Sequence, residues 1–454
     1  MATVWAKHAL IDTGWHDNVM LDIGADGRIL SVSVGAKPCE KQVDILVSAP
    51  ANTHSHAFQR AMAGLSEARG PHAHDSFWTW RDIMYRFVDV LTPDDVQAIA
   101  AFLYMEMLEA GFAAVAEFHY LHHGVGGQAY NNVAEMASRI IGAVNQTGIG
   151  LTLLPVLYAQ GGCDGRALAG GQMRFGNDID GYAKLHAQSA KLMTALPDDC
   201  VIGASAHSLR AVSSQQLECV TNVAYDAPIH IHIAEQDGEV AEVLAYTGKR
   251  PVQWLLDNHA VDARWCLIHA TQMTQGETIA VAKSGAVVGL CPITESSLGD
   301  GIFPAREYFG AGGAFSIGSD SNIRISLADE LRTLAYSQRL QHKERAVLAT
   351  DQRSVGRVLM DGAARGGAQA CGRDSGVIAV GQYADLLALD AHHSDLLGKS
   401  GDTILDSFVF CGAQNMVTDV WSAGRHMVRD GQHIHYADIK AAYNNTILSL
   451  MERL

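Results

Sequence analysis

His54 and His56 stand one residue apart, and residues i and i+2 of an extended strand project to one side, so the two imidazoles can converge on one cation. A catalytic zinc site surrounds its ion with about three protein ligands and keeps a position open for water. The pair follows the apolar run 43–47, which places it where a strand becomes a loop. By itself the motif says little in a chain with 21 histidines.

The case strengthens because chemically capable residues recur where apolar runs end. Runs at 114–118, 151–158, 201–206, 229–233, 265–268, 286–290 and 315–318 read as strands, and they lead into His119 and Tyr120, His207, Glu235, His269, Cys291 and Asp320. Helix-like stretches at 93–110, 179–196, 213–225 and 274–283 lie between them. Alternation of this kind implies a parallel sheet. Eight strands over roughly 275 residues match a (β/α)8 barrel of the TIM type, whose active site is built from loops at the carboxyl ends of the strands.

The termini follow a different pattern of short alternating runs and glycine-rich turns. Segments 1–46 and 375–436 are read as one small β-sandwich domain, with strands at 19–23, 376–381 and 384–390. The expected organisation is an α/β protein with a metal-dependent barrel over 47–374 inserted into that domain. A closing helix over 437–454 would pack through Ile439, Ala442, Tyr443, Ile447, Leu448 and Met451.

The net charge of -16 disfavours a nucleic-acid groove or an anionic membrane surface. No apolar run reaches the ~18 residues of a membrane span, and the start lacks a basic segment followed by an apolar one; the expectation is a cytoplasmic protein. Eight cysteines without a C-x-x-C pair read as free thiols, with Cys266 and Cys291 as small buried hydrophobes.

Three motifs on different strands resemble the amidohydrolase superfamily: THSH at 53–56, HIHIAE at 230–235 and GSDS at 318–321, with His269 between the last two. The resemblance implies that His54, His56, His232 and Asp320 bind one divalent ion, most often Zn2+. Longer strings are similar to the formimidoylglutamate deiminase family: HSHAFQRAMAG at 54–64, DSFWTWR at 75–81, AEFHY at 116–120, HSLR at 207–210, HIAEQ at 232–236 and TESSLGDG at 294–301. The implied reaction is hydrolysis of N-formimino-L-glutamate to N-formyl-L-glutamate and ammonia, in histidine degradation. Residues 50–53, PANT, depart from the glycine and apolar residue expected before the metal pair.

The residues themselves suit that chemistry. His230 competes with His232 for the ligand position, and Glu235, three residues beyond His232, breaks the tie as a proton shuttle; His230 is then a core residue. Asp320 is a hard oxygen ligand that can also take a proton from water, although an aspartate there could simply cap the next helix. Glu235 is the general acid for the leaving nitrogen, and His269, read as neutral, orients the attacking hydroxide or stabilises the intermediate. Glu295 is read as structural.

A dianionic substrate in an acidic protein needs a local cluster of donors. Arg81 and Arg210 can each fork onto a carboxylate, and the resemblance adds Gln59, Tyr120 and His207. Arg81, in a Trp-rich loop, could equally stack on an aromatic ring, while Trp78 and Trp80 are candidates for the pocket wall. A small-molecule substrate and a homodimer are expected, the latter from resemblance only. Two other readings remain: a deaminase of guanine, cytosine or adenosine type, with aromatic stacking for a flat base, and a catalytically silent scaffold of the same shape.

Overall fold

The computed structural model describes residues 2–67, 77–412 and 415–454, and the side chains of all but 77–79 among them. Strands Ala51–Ser55, Ala114–His119, Gly150–Leu157, Ala204–Ser208, Ile229–Ile233, Trp265–His269, Val287–Leu290 and Ala314–Ile317 follow one another as parallel neighbours. The last pairs with the first through Ile317 and Asn52, so the sheet closes on itself. A short strand, Val201–Ile202, precedes the fourth.

Closure needs a residue without a side chain just after the eighth strand. A Cβ at Gly318 would stand 2.6 Å from the His54 Cβ and 2.8 Å from the His54 nitrogen, distances that van der Waals radii forbid. Glycine therefore lets the eighth strand run against the strand that carries the histidine pair.

The apolar run 43–47 does not belong to the barrel. It lies in strand Gln42–Ser48, which pairs with Ala2–Ile11 and Leu386–Leu389 in the terminal sheet. Pro50 cannot donate to a ladder, and after it the chain starts the first barrel strand, Ala51–Ser55, which is buried throughout.

Both termini contribute to one hydrogen-bonded sheet of eight strands, with the 386–389 strand beside the 42–48 strand at its centre. Its own core includes Val19, Leu21, Ile23, Ile29, Leu46, Leu386 and Trp421. Segment 376–381 is not a strand; Gly376 and Gly381, at its two ends, take φ of +88° and +87°. Helix Asp402–Phe410 interrupts the tail where the sequence suggested only β-structure. The terminal helix Tyr436–Arg453 buries Ile439 and Leu450, while Leu448 and Met451 are exposed, contrary to the expected packing face.

Helix Phe77–Val88 replaces the loop expected around Arg81. Met84, Phe87 and Val88 are buried, and their spacing of three and four residues puts them on one face. The predicted helices appear as Pro93–Glu109, Ile179–Met193, Ser214–Ala224 and Gln275–Ser284. Thr92 starts the first: its side chain accepts from the Asp95 amide, and its own amide donates to the Asp95 carboxylate. No helix among the described residues is long and apolar enough to cross a membrane.

Candidate active site

The carboxyl ends of the barrel strands bring the predicted side chains to one place. Ligand atoms of His54, His56, His232 and Asp320 all lie within 4.8 Å of one another, and all four residues are buried. The Nε2 atoms of His54 and His232 are 2.9 Å apart, and Asp320 Oδ1 is 3.4 Å from His54 Nε2 and 3.2 Å from His56 Nε2.

Whether this set suits a cation follows from where the protons sit. His56 Nδ1 is 3.1 Å from the Phe118 carbonyl and His232 Nδ1 is 2.9 Å from the His207 carbonyl. A carbonyl only accepts, so each Nδ1 carries a hydrogen and each Nε2 turns a lone pair inward. His56 Nε2 then faces a carboxylate oxygen, acceptor against acceptor. Burial lowers His54 to about 3 and pulls His232 well below the ordinary imidazole value. Burial opposes ionisation of Asp320, yet a proton or positive charge on the His54 and His56 rings holds it well below the usual carboxylate range, and a bound cation would supply that charge in their place. Neutral imidazoles and an anionic carboxylate turned toward a common point are the protonation states a divalent metal requires.

A buried polar lattice fixes this geometry. Asn52 Nδ2 donates to Ser319 Oγ at 2.7 Å, Ser319 Oγ donates to Asn322 Oδ1 at 2.6 Å, and Asn322 Nδ2 donates to the His56 carbonyl at 3.0 Å. The lattice ties the first strand to the loop carrying Asp320, whose φ is +48°. A left-handed conformation costs a non-glycine residue about 1–3 kcal/mol and persists only where its surroundings impose it. Asp320 caps no helix; Ser326 does so for Leu327–His342.

His269 lies within reach of three carboxylates. Its Nε2 is 3.7 Å from Glu235 Oε1 and 3.8 Å from Asp320 Oδ2, and its Nδ1 is 3.2 Å from Glu295 Oε1. Burial opposes a charge on His269, but Glu235, Glu295 and Asp320 outweigh it and raise the imidazole to about 10. A cation at the four-ligand cluster would oppose that rise, in the direction of the neutral ring expected from the sequence. Burial raises Glu235 to about 7, a range suited to a group that both gives and takes protons.

A pocket opens over these groups, lined by His56, His232, Glu235, His269 and Asp320 and by all five predicted substrate-binding residues, Gln59, Arg81, Tyr120, His207 and Arg210. Gln59 Nε2 donates to Tyr120 Oη at 2.8 Å. The Arg81 guanidinium lies 5.6 Å from the Tyr85 ring centre, so the stacking reading holds alongside the position in the pocket wall. Trp80 is part of the lining; the side chain of Trp78 lies outside the described residues. His230 donates to the Ala370 carbonyl at 2.7 Å and does not join the cluster.

Sequence reasoning missed Met84, Tyr85, Tyr158 and Phe175 in the lining, and three of these are aromatic residues that looked like ordinary core. Asp300, within the 294–301 string, is a further buried carboxyl, which burial, followed by the charge of Glu235, pushes up to about 9.

Residues 46–427 match the family described as Amidohydrolase family. The chain belongs to that family. As in other amidohydrolases, a metal-dependent reaction is the expected work of such a barrel, and the His54, His56, His232 and Asp320 cluster fits a metal ion. Residues 1–41 match the description Formimidoylglutamate deiminase HutF, N-terminal domain. The amidohydrolase is 47% identical to formimidoylglutamate deiminase of Pseudomonas aeruginosa over 437 residues, covering 95% of this chain and 96% of that protein. A 5-methylthioadenosine/S-adenosylhomocysteine deaminase of Natronomonas pharaonis is 27% identical over 82% of this chain and 81% of its own. Among solved structures, an amidohydrolase from Brucella melitensis superposes with a TM-score of 0.95 at 48% identity, covering 99% of this chain and 100% of that one. An adenosine deaminase from Xanthomonas campestris with bound zinc shares the fold, with a TM-score of 0.83 at 21% identity over 99% of this chain and 98% of its own.

Proposed function

We propose that the protein hydrolyses N-formimino-L-glutamate to N-formyl-L-glutamate and ammonia. The observation that carries this reading is one cavity whose wall holds three of the four clustered ligands, His56, His232 and Asp320, together with Glu235 and two guanidinium groups, Arg81 and Arg210. Carboxylates of the substrate suit the arginines, and the C=N carbon suits the end that can activate water. The 47% identity to formimidoylglutamate deiminase supports the same substrate.

His54, His56, His232 and Asp320 would hold the ion, most readily Zn2+, which when bound polarises the site and acidifies water toward a pKa of about 7. Asp320 takes a proton as water adds to the formimino carbon, since its Oδ2 faces His269 and is not the oxygen nearest His54 and His56. Glu235, with its carboxyl raised to about 7, protonates the imine nitrogen as water adds, then relays the proton of the added hydroxyl to the same nitrogen, which leaves as ammonia as the formyl C=O forms; the proton held by Asp320 restores Glu235. His269 orients the attacking oxygen, and Glu295 holds the ring from its far side. Arg81, Arg210, His207, Gln59 and Tyr120 bind and orient the two carboxylates, and the aromatic wall limits water access. The reaction is assigned to the cytoplasm, with a homodimer as the assembly.

Arg81→Met and Arg210→Met separate this reading from a nucleobase deaminase, whose flat neutral substrate has no carboxylate for a guanidinium to hold. Each should cut kcat/KM for formiminoglutamate at least 100-fold, the loss of a bidentate charged contact of about 3 kcal/mol. Unchanged kinetics in both variants, or turnover of adenosine or guanine by the parent protein, would favour the deaminase reading.

A further inference from the structure

Glu239 is 1% exposed, and a carboxylate is stable at that burial only with partners. It is the third residue of helix Asp237–Thr247, whose N-cap, Gln236, makes no side-chain cap bond. Instead Glu239 reaches back beyond the cap. Its Oε1 accepts from the Ala234 amide at 3.2 Å and its Oε2 from the Glu235 amide at 3.0 Å.

Both bonds fall where the chain is under strain. Ala234 takes φ of +50° as the fifth barrel strand turns into that helix, a conformation an alanine keeps only if neighbours impose it. The two accepted bonds impose it, and the peptide they fix is the one that aims Glu235 into the cavity. The charged neighbour of Glu239 is Arg210: burial raises the Glu239 carboxyl, and Arg210 is the foremost opposing influence, ahead of the two amides. Glu235 and Glu242 also act on Arg210, and His269 on Glu239. One carboxylate thus holds the backbone of the proposed acid while feeling the charge of the guanidinium proposed to hold substrate.

We propose that Glu239 is a positioning residue that fixes Glu235 for proton delivery by clamping the Ala234 and Glu235 amides. The proposal rests on the function assigned above, because it needs Glu235 to be the acid. A mere helix cap would stabilise the fold without regard to what Glu235 does.

The test is a double-mutant cycle on the zinc-loaded full chain. In Glu239→Gln one oxygen becomes an amide that can only donate, set against a backbone donor. Since misplacing a reacting group by about 1 Å can cost 100-fold, kcat for formiminoglutamate should fall roughly 10- to 100-fold with KM changed less than about 3-fold. In a Glu235→Gln background the same change should cost less than about 2-fold, because there is no acid left to misplace. Rates are referred to the folded, zinc-bearing fraction, and Glu239→Asp, a carboxylate one methylene too short, carries the same comparison if Glu239→Gln folds poorly. An unchanged kcat in the single variants, or an equal fold-loss in both backgrounds, overturns the proposal. Absence of ammonia release by the parent protein would instead overturn the assigned function.

Discussion

Glu295 Oε1 lies 3.2 Å from His269 Nδ1 and 2.8 Å from the Cys291 amide, so one buried oxygen joins the sixth barrel strand to the turn after the seventh. The bond sets the Nδ1 proton of His269 and leaves Nε2 facing Glu235 and Asp320. Glu295→Gln should lower kcat roughly 10- to 100-fold, the usual cost of losing a partner that orients an active-site histidine. KM should change little, since Glu295 is absent from the cavity lining. Steady-state kinetics check both; a rise in KM at constant kcat would assign Glu295 to substrate binding.

Removal of the metal ion should abolish turnover and lower the thermal midpoint, because an ion that binds only the folded state stabilises it by mass action. Dialysis against a chelator, then readdition of zinc, tests this in one protein sample. His232→Ala removes a ligand whose Nε2 is 2.9 Å from that of His54. Its zinc content after dialysis should fall from one equivalent to near zero, and retention of a full equivalent would contradict the ligand assignment.

Gly318→Ala places a methyl group 2.6 Å from the His54 Cβ. Either strand must shift, and overpacking of this kind costs about 1–3 kcal/mol. Because the displaced strand carries both His54 and His56, the variant should lose zinc affinity as well as stability. Urea titration and zinc dissociation kinetics measure the two; a lower midpoint with unchanged zinc release would show that the strands relax without moving the ligands.

A buried ionic network joins the barrel to the terminal sheet. Asp199 pairs with Arg373 at 2.8 Å and Arg425 at 2.6 Å, while Arg373 also pairs with Asp385 at 2.6 Å. Burial disfavours the charged form of Asp199, but Arg425 and Arg373 outweigh that and lower its proton affinity below the ordinary aspartate value. A carboxyl depressed on folding contributes stability that is complete above its unfolded value of about 3.9 and disappears as pH falls through the folded one. Asp199→Asn should therefore cost about 3 kcal/mol near neutral pH, with the difference from the parent shrinking below about pH 4. Urea midpoints at pH 7 and pH 3.5 give the comparison; a difference that grows on acidification would reverse the sign of the argument.

The barrel was legible because most of its strands are short apolar runs and its reactive residues stand where those runs stop. Motif order on the strands then selected His54, His56, His232 and Asp320 ahead of His230, which periodicity alone could not separate from His232. Less visible was the change of sheet at Pro50: the run 43–47 and strand Ala51–Ser55 are contiguous in sequence, and only tertiary pairing distinguishes them. Helix Phe77–Val88 was hidden by its tryptophans, which suggested a loop, while its buried face emerges from Met84, Phe87 and Val88 together. The clamp by Glu239 was invisible because a glutamate in the first turn of a helix is an ordinary occurrence. Its meaning comes from which amides it accepts.

Carbon NMR of the products formed from N-formimino-L-glutamate, run beside an ammonia assay on zinc-loaded and chelated protein, tests the account most directly. The predicted result is one N-formyl-L-glutamate and one ammonia per substrate with zinc, and no turnover after chelation. Glutamate with formamide, or turnover that persists unchanged without the ion, would contradict it.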